Sequence, residues 1–214
     1  DKGFIIKDKI TAFQAGIDAL RKLTPGKVHL SVDDSSAEYL KGIQGVELHH
    51  VKGVHPAGNV GVQIHKLDPI NRGERVWTVG VEDVATIGNV FLTGEYRAER
   101  TVAVVGSEAE NRKYYQTIIG ANVTDLIGQA AEGTRIISGD VFTGTQLSNN
   151  QYLGFFENEL TLIPEGDNYR IFGWLPFTYN NIHSHSRTSL SWLFPNKKYT
   201  PTTNLNGEER AFVV

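Results

Sequence analysis

Apolar residues recur at Ile10, Phe13, Ile17 and Leu20, spacings of three and four that gather them on one face of a helix over 8–23. Thr24-Pro25-Gly26 ends it, because proline cannot continue a helix and glycine favours a turn. A strand over 27–32 follows, and Asp33-Asp34-Ser35-Ser36 offers an N-cap to a short helix over 37–41. Residues 46–51 read as a second strand, so the pattern is a β/α alternation, the mark of a layered α/β unit. Glycine and proline crowd residues 52–75, which read mostly as loop. Val76-Trp77-Thr78-Val79 reads as a buried-type strand. A helix over 82–91 then turns Val84, Ile87, Gly88 and Phe91 inward and is capped at Thr93-Gly94.

The pattern changes near Arg97. Residues 101–106 and 114–119 read as strands, with Gly120 turning the chain away, a short helix over 123–129 and a third strand over 135–139. Strand, strand, crossing helix and returning strand make a β-grasp-like module, expected from about Thr101 to Gln146, with a domain boundary between Gly94 and Thr101. Beyond it, 155–164 and 169–174 read as further strands and the segment after Pro176 as loop. The expected organisation is therefore an α/β domain over 1–97, a β-grasp module over 98–147 and a β-rich segment over 148–214.

Composition narrows the function. With 40% hydrophobic residues, 214 residues can bury a real core. A net charge of −3, from 21 basic and 24 acidic residues, argues against nucleic acid as a partner. Without a cysteine, the chain can build no disulfide, no iron–sulfur cluster and no thiolate zinc site. No apolar run approaches the roughly 18–20 residues of a membrane helix, so association with a membrane is expected to come through partners or segments outside these residues. Asp1-Lys2-Gly3 does not read as a natural start, and the chain ends on a strand-like Ala211-Phe212-Val213-Val214; an internal stretch of a longer protein is expected. Methionine is absent, for which the pattern offers no physical reason.

Two stretches are similar to the A subunit of bacterial sodium-pumping NADH:quinone oxidoreductases. The first is His55-Pro56-Ala57-Gly58-Asn59-Val60-Gly61-Val62-Gln63-Ile64-His65 with Leu67-Asp68-Pro69, Val76-Trp77 and Glu82-Asp83-Val84-Ala85-Thr86-Ile87-Gly88 behind it. The second is Arg135-Ile136-Ile137-Ser138-Gly139-Asp140-Val141-Phe142-Thr143-Gly144-Thr145, followed by Tyr152-Leu153-Gly154 and Phe172-Gly173-Trp174. Each motif is weak alone; their order and spacing along the whole chain make the likeness specific. The resemblance implies a Rossmann-like α/β domain followed by a soluble-ligand-binding β-grasp (SLBB-like) module. It also implies the other subunits of that complex as partners, a peripheral place on the cytoplasmic face of the inner membrane, and quinone as substrate. The family is related to the C subunit of the Rnf complex and to the flavin- and NADH-binding subunit of complex I, where a Gly-rich loop cradles flavin mononucleotide. No such loop opens a helix here. The expectation is a chain that binds no cofactor, with flavins, iron–sulfur cluster and NADH on other subunits. The alternatives are a flavin-dependent NADH-oxidising subunit of the Rnf or complex I type and a non-enzymatic soluble-ligand-binding protein.

Candidate ligand or quinone-binding residues are His65, Asp68, His55 and Gly58. His65 near the Asp68 carboxylate could relay the protons that quinone reduction consumes; the plainer alternative is a strand-end histidine satisfied by backbone. His55 and Gly58 sit in a loop where glycine lets a partner approach the backbone, or simply in a turn fixed by Pro56. No metal site is expected: His183 and His185 lack a third ligand and are followed by Arg187, and His49 and His50 point to opposite faces of a strand. Tyr152, Phe155, Phe156, Trp174, Phe177, Tyr179, Trp192 and Phe194 could stack on a quinone ring but read more simply as core or interface. Lys197-Lys198 reads as solvated surface. No Ser–His–Asp or paired-carboxylate constellation stands out, so catalysis by this chain alone is not expected.

Overall fold

A computed structural model of the protein describes residues 2–34, 36–54, 56–148, 151–166 and 193. They form two compact units that divide at Ala98/Glu99, and both mix helices with strands.

The first unit runs α1 (Lys2–Ile6), α2 (Ile10–Leu23), β1 (His29–Val32), α3 (Ala37–Leu40), β2 (Glu47–His50), α4 (Val60–Leu67) and α5 (Val81–Thr93). β1 and β2 pair in parallel, the outcome expected of a strand–helix–strand crossover. The apolar stripe of α2 faces the core: Phe13 and Ile17 are buried, and Ile10 and Leu20 pack at its edge. Ile5 and Ile6 of α1, Leu30 and Val32 of β1, Leu40 of α3 and Val84 and Ala85 of α5 complete it.

α2 and α5 approach at two glycines. A Cβ on Gly16 would stand 2.1 Å from the Val84 carbonyl oxygen, and one on Gly88 would stand 1.7 Å from that of Ala12. The helices thus meet backbone to backbone, which only glycine permits. Beside the crossing, Lys9 Nζ donates to Glu82 Oε1 at 3.2 Å. Glu82 is only 2% exposed, and its place in the first turn of α5 sets its charge at the positive end of the helix dipole.

Four local expectations change. The glycine-rich 52–75 stretch contains α4, in which Val60, Ile64 and Leu67 recur at helical spacing; Gly58 and Gly61 masked that periodicity. Residues 76–79 form no strand and are exposed, with Trp77 90% accessible. A short apolar run fits a strand locally, but a strand also needs a hydrogen-bonding neighbour, which the run itself cannot specify. Phe91, expected inward, is 71% exposed one turn beyond the Gly88 contact. The short helix α1 did not register in the pattern at all. The end of α5 is as read: Gly94 takes the left-handed conformation (φ 77°) and its N–H closes on the Val90 carbonyl.

The second unit runs β3 (Glu99–Val105), β4 (Tyr114–Ile118), α6 (Val123–Ile127), β5 (Thr134–Ser138), β6 (Thr145–Leu147) and β7 (Glu159–Pro164). Its five-stranded sheet has the order β4-β3-β7-β5-β6. β7 lies between β3, to which it is parallel, and β5, to which it is antiparallel. The module expected over 98–147 therefore takes its central strand from the segment assigned to 148–214. Flanked on both sides, β7 buries Leu160, Thr161, Leu162 and Ile163 in succession, the near-continuous burial of a central strand. The buried Thr161 hydroxyl donates to the Gly139 carbonyl at 2.7 Å. Asn122 caps α6, its side-chain oxygen accepting from the Thr124 N–H at 2.8 Å. The strand expected over 169–174 lies outside the described residues. No helix among the described residues is long and apolar enough to cross a membrane.

Candidate functional site

Among the described residues, a cluster of titratable side chains stands on the two-stranded sheet of the first unit. In the parallel register His29 is opposite Glu47 and Ser31 opposite His49. Side chains alternate across a strand, so His29, Glu47 and His49 share the face opposite the buried Leu30 and Val32. His29 Nδ1 is 2.9 Å from His49 Nε2, one nitrogen donating and the other accepting according to tautomer. The two rings stack with centroids 5.1 Å apart and planes inclined by 22°.

Glu47 turns its two oxygens to different partners. Oε2 is 3.6 Å from His29 Nδ1, and Oε1 is 2.6 Å from Lys27 Nζ. The Lys27 hydrogen bond, aided by the Lys27 charge, outweighs the opposing effect of desolvation and holds the Glu47 carboxyl below its ordinary range. The same bond, followed by the Glu47 charge, raises Lys27. On the other side of the His29 ring, Nε2 is 3.6 Å from Asp68 Oδ2. Asp68 is the C-cap of α4, so the cluster joins both strands to the end of that helix. Two imidazoles and an ionised carboxylate can hold a cation or pass a proton.

The residues singled out in the sequence fall around this cluster unevenly. His65 lies in the last turn of α4 and is exposed. Asp68 is exposed too, and its histidine neighbour is His29, not His65. Gly58 is exposed, with open space where a Cβ would stand. His55 lies outside the described residues, as do Trp174, Phe177, Tyr179, Trp192, Phe194, His183, His185, Lys197 and Lys198. Tyr152, Phe155 and Phe156 are exposed and lie outside the buried core of the described residues. His49 and His50 alternate in exposure as a strand requires. What pattern reading missed is that His49 meets His29 across the sheet. The available signal was the alternation His29-x-Ser31 and Glu47-x-His49, but its use needs the register, which no local spacing reveals.

A second polar group lies in the other unit. Glu157 is half-buried against Gly139 and Gly154. Burial first, then the neighbouring charges of Asp140 and Glu159, push its carboxyl above the ordinary range.

Comparison with known proteins follows the same division of the chain. Residues 1–96 match the NqrA second alpha/beta domain, and residues 101–149 match the NQRA C-terminal domain. Three relatives, each named as the A subunit of a Na(+)-translocating NADH-quinone reductase, align over the whole chain: 38% identical in Cellvibrio japonicus, 37% in Yersinia pestis bv. Antiqua and 33% in Neisseria meningitidis serogroup B. The chain covers 48% of each of them, so it spans about half the length of the curated relatives it matches.

Proposed function

Because the chain belongs to the family of the A subunit of Na(+)-translocating NADH-quinone reductase, we propose that it works as part of that subunit in a sodium-pumping oxidoreductase. The observation that carries the reading is the likeness over the whole chain, with two consecutive domains of the subunit in order. In this role it sits peripherally on the cytoplasmic face of the membrane, bound to the other subunits. It contributes to quinone handling and assembly, while NADH oxidation and the flavin and iron–sulfur carriers belong to its partners. The absence of cysteine is consistent with that division of labour, since an iron–sulfur cluster is held by thiolates.

An exposed apolar stretch supports the assembly role. Val54, Val60, Leu67, Ile70, Val76, Trp77 and Val79 are all exposed within 26 residues of chain, in the same stretch as His55, Gly58, His65 and Asp68. Aromatic and apolar side chains of this kind are what a permanent subunit contact buries. Quinone is largely apolar, so its affinity comes from a buried pocket with a few polar groups at the carbonyls. Exposed residues such as His65 and Asp68 complete such a pocket only when a partner covers them.

The test is Trp77→Ser together with Val79→Ser in the natural polypeptide that carries this sequence. The reading expects the polypeptide to be lost from washed membranes and NADH-quinone reductase activity to fall with it. Full retention and full activity would contradict it. A short-chain water-soluble quinone titrated against the whole complex and against the isolated polypeptide should bind tightly only to the complex. Flavin absorbance in the isolated polypeptide would favour the Rnf or complex I type of subunit instead.

A further inference from the structure

We propose that His29, Glu47 and His49 bind a divalent transition-metal ion of the zinc class, with Asp68 orienting His29 from behind. Each residue offers one ligand atom, and the three atoms lie within 4.8 Å of one another. Two are imidazole nitrogens, which suit zinc, copper, nickel and cobalt and do not suit sodium, magnesium or calcium, whose ligands are oxygens.

The histidine pair already stands at a ligand–ligand spacing, and Glu47 closes on the ion by a side-chain adjustment. At a metal–nitrogen distance of about 2.05 Å, a tetrahedral angle separates two nitrogens by about 3.3 Å and a right angle by about 2.9 Å. His29 Nδ1 and His49 Nε2 stand 2.9 Å apart. Their separation matches adjacent corners of an octahedral site, and a tetrahedral one after a shift of a few tenths of an ångström, once both rings turn from each other to aim their nitrogens at the ion. Glu47 uses Oε2, the oxygen turned to His29, while Oε1 keeps Lys27. The Lys27 ammonium lowers the affinity by like charge and keeps Glu47 ionised for the role.

Asp68 supplies what a bare cluster lacks. A histidine that ligates through Nδ1 presents Nε2–H to a second partner, and a carboxylate there fixes the tautomer and strengthens the ligand. Asp68 Oδ2 stands 3.6 Å from His29 Nε2. Because it caps α4, a bound ion also ties the end of that helix to the two strands. Three protein ligands at a solvent-exposed face leave at least one position for water or an outside ligand, the arrangement of an open site rather than a closed structural one.

The experiment is calorimetric titration of zinc chloride into the untagged natural polypeptide, repeated in sodium chloride. The expected result is one zinc per chain with no competition from sodium. His49→Gln and, separately, His29→Gln should each weaken binding by at least about 100-fold. Asp68→Asn should weaken it by about 10-fold, in the range of a carboxylate behind a ligating histidine. His65→Gln, outside the cluster, should leave it unchanged. His29, Asp68 and His65 are exposed and His49 is half-buried, so far-UV circular dichroism should be the same for every variant; with two ligand variants, one well-folded protein is enough to decide. Cobalt(II) provides a second reading, with visible absorption that changes in His49→Gln. Absence of stoichiometric binding, sodium displacing zinc, or an affinity indifferent to both ligand substitutions would overturn the proposal.

Discussion

Replacing Gly88 by alanine tests the packing of the first unit at its tightest point. The added methyl would stand 1.7 Å from the Ala12 carbonyl oxygen and 2.5 Å from the Gly16 nitrogen. Both are backbone atoms of α2, so no side chain can turn aside, and the helices must separate by an ångström or more. A gap of about 0.5–1 Å forfeits a quarter to a half of the dispersion energy across it, and Phe13, Ile17, Val84 and Ala85 all belong to the core at this crossing. Overpacking of a core usually destabilises by about 1–3 kcal/mol, and an obstruction made of backbone belongs at the upper end. Alanine returns about 1 kcal/mol of helix propensity. The net loss is then about 2 kcal/mol, or roughly 8–16 °C in the melting temperature of a unit of this size. Gly61→Ala in α4 is the control: nothing lies within 4 Å of its Cβ position, so it should be neutral or stabilising by up to about 1 kcal/mol. The assay is urea unfolding followed by circular dichroism at 222 nm. If Gly88→Ala matches the parent within about 0.5 kcal/mol, the usual span of harmless substitutions, the backbone-to-backbone contact is not as described.

Two further outcomes follow in the second unit. Gly106 has φ 109°, and a Cβ there would meet the Leu162 carbonyl at 1.9 Å; Gly106→Ala should cost at least about 2 kcal/mol from backbone strain and the forced separation of β3 from β7, leaving the unfolding of the first unit unchanged. Glu157 has its carboxyl raised chiefly by burial, so the folded state binds a proton more readily than the unfolded one. Stability should therefore fall as pH rises through the carboxylate range toward the raised value. Glu157→Gln should remove that fall, making the variant the more stable protein at neutral pH and no better at low pH in pH-dependent thermal melts.

What the sequence revealed depended on the range of the information needed. α2 and α5 were legible because Phe13 with Ile17, and Val84 with Gly88, repeat within one helix, and the chemistry of Gly94 marks where α5 stops. β1 and β2 were legible from short β-favouring runs broken by turn residues. Val76–Val79 was misread because the same local signal lacked a pairing partner, and α4 was missed because Gly61 sits within it and Gly58 just before it, in a stretch rich in glycine and proline. The place of β7 was hidden for a different reason. Its pairing with β3 joins residues more than fifty positions apart, and no local pattern carries such a register. The same limit concealed the His29–Glu47–His49 cluster, which exists only through the parallel pairing of β1 and β2. Sequence reading put the histidine–carboxylate pair at His65 and Asp68; the structure brings Asp68 to His29.

Whether this chain acts within a sodium-pumping NADH-quinone reductase is decided by tagging the natural polypeptide in its own cells, extracting the membranes in mild detergent and assaying what the tag retains. The expected result is an assembly of several subunits that oxidises NADH with quinone at a rate stimulated by sodium. Recovery of the polypeptide alone from the soluble fraction, with no sodium-stimulated NADH-quinone reductase activity retained with it, would refute that role.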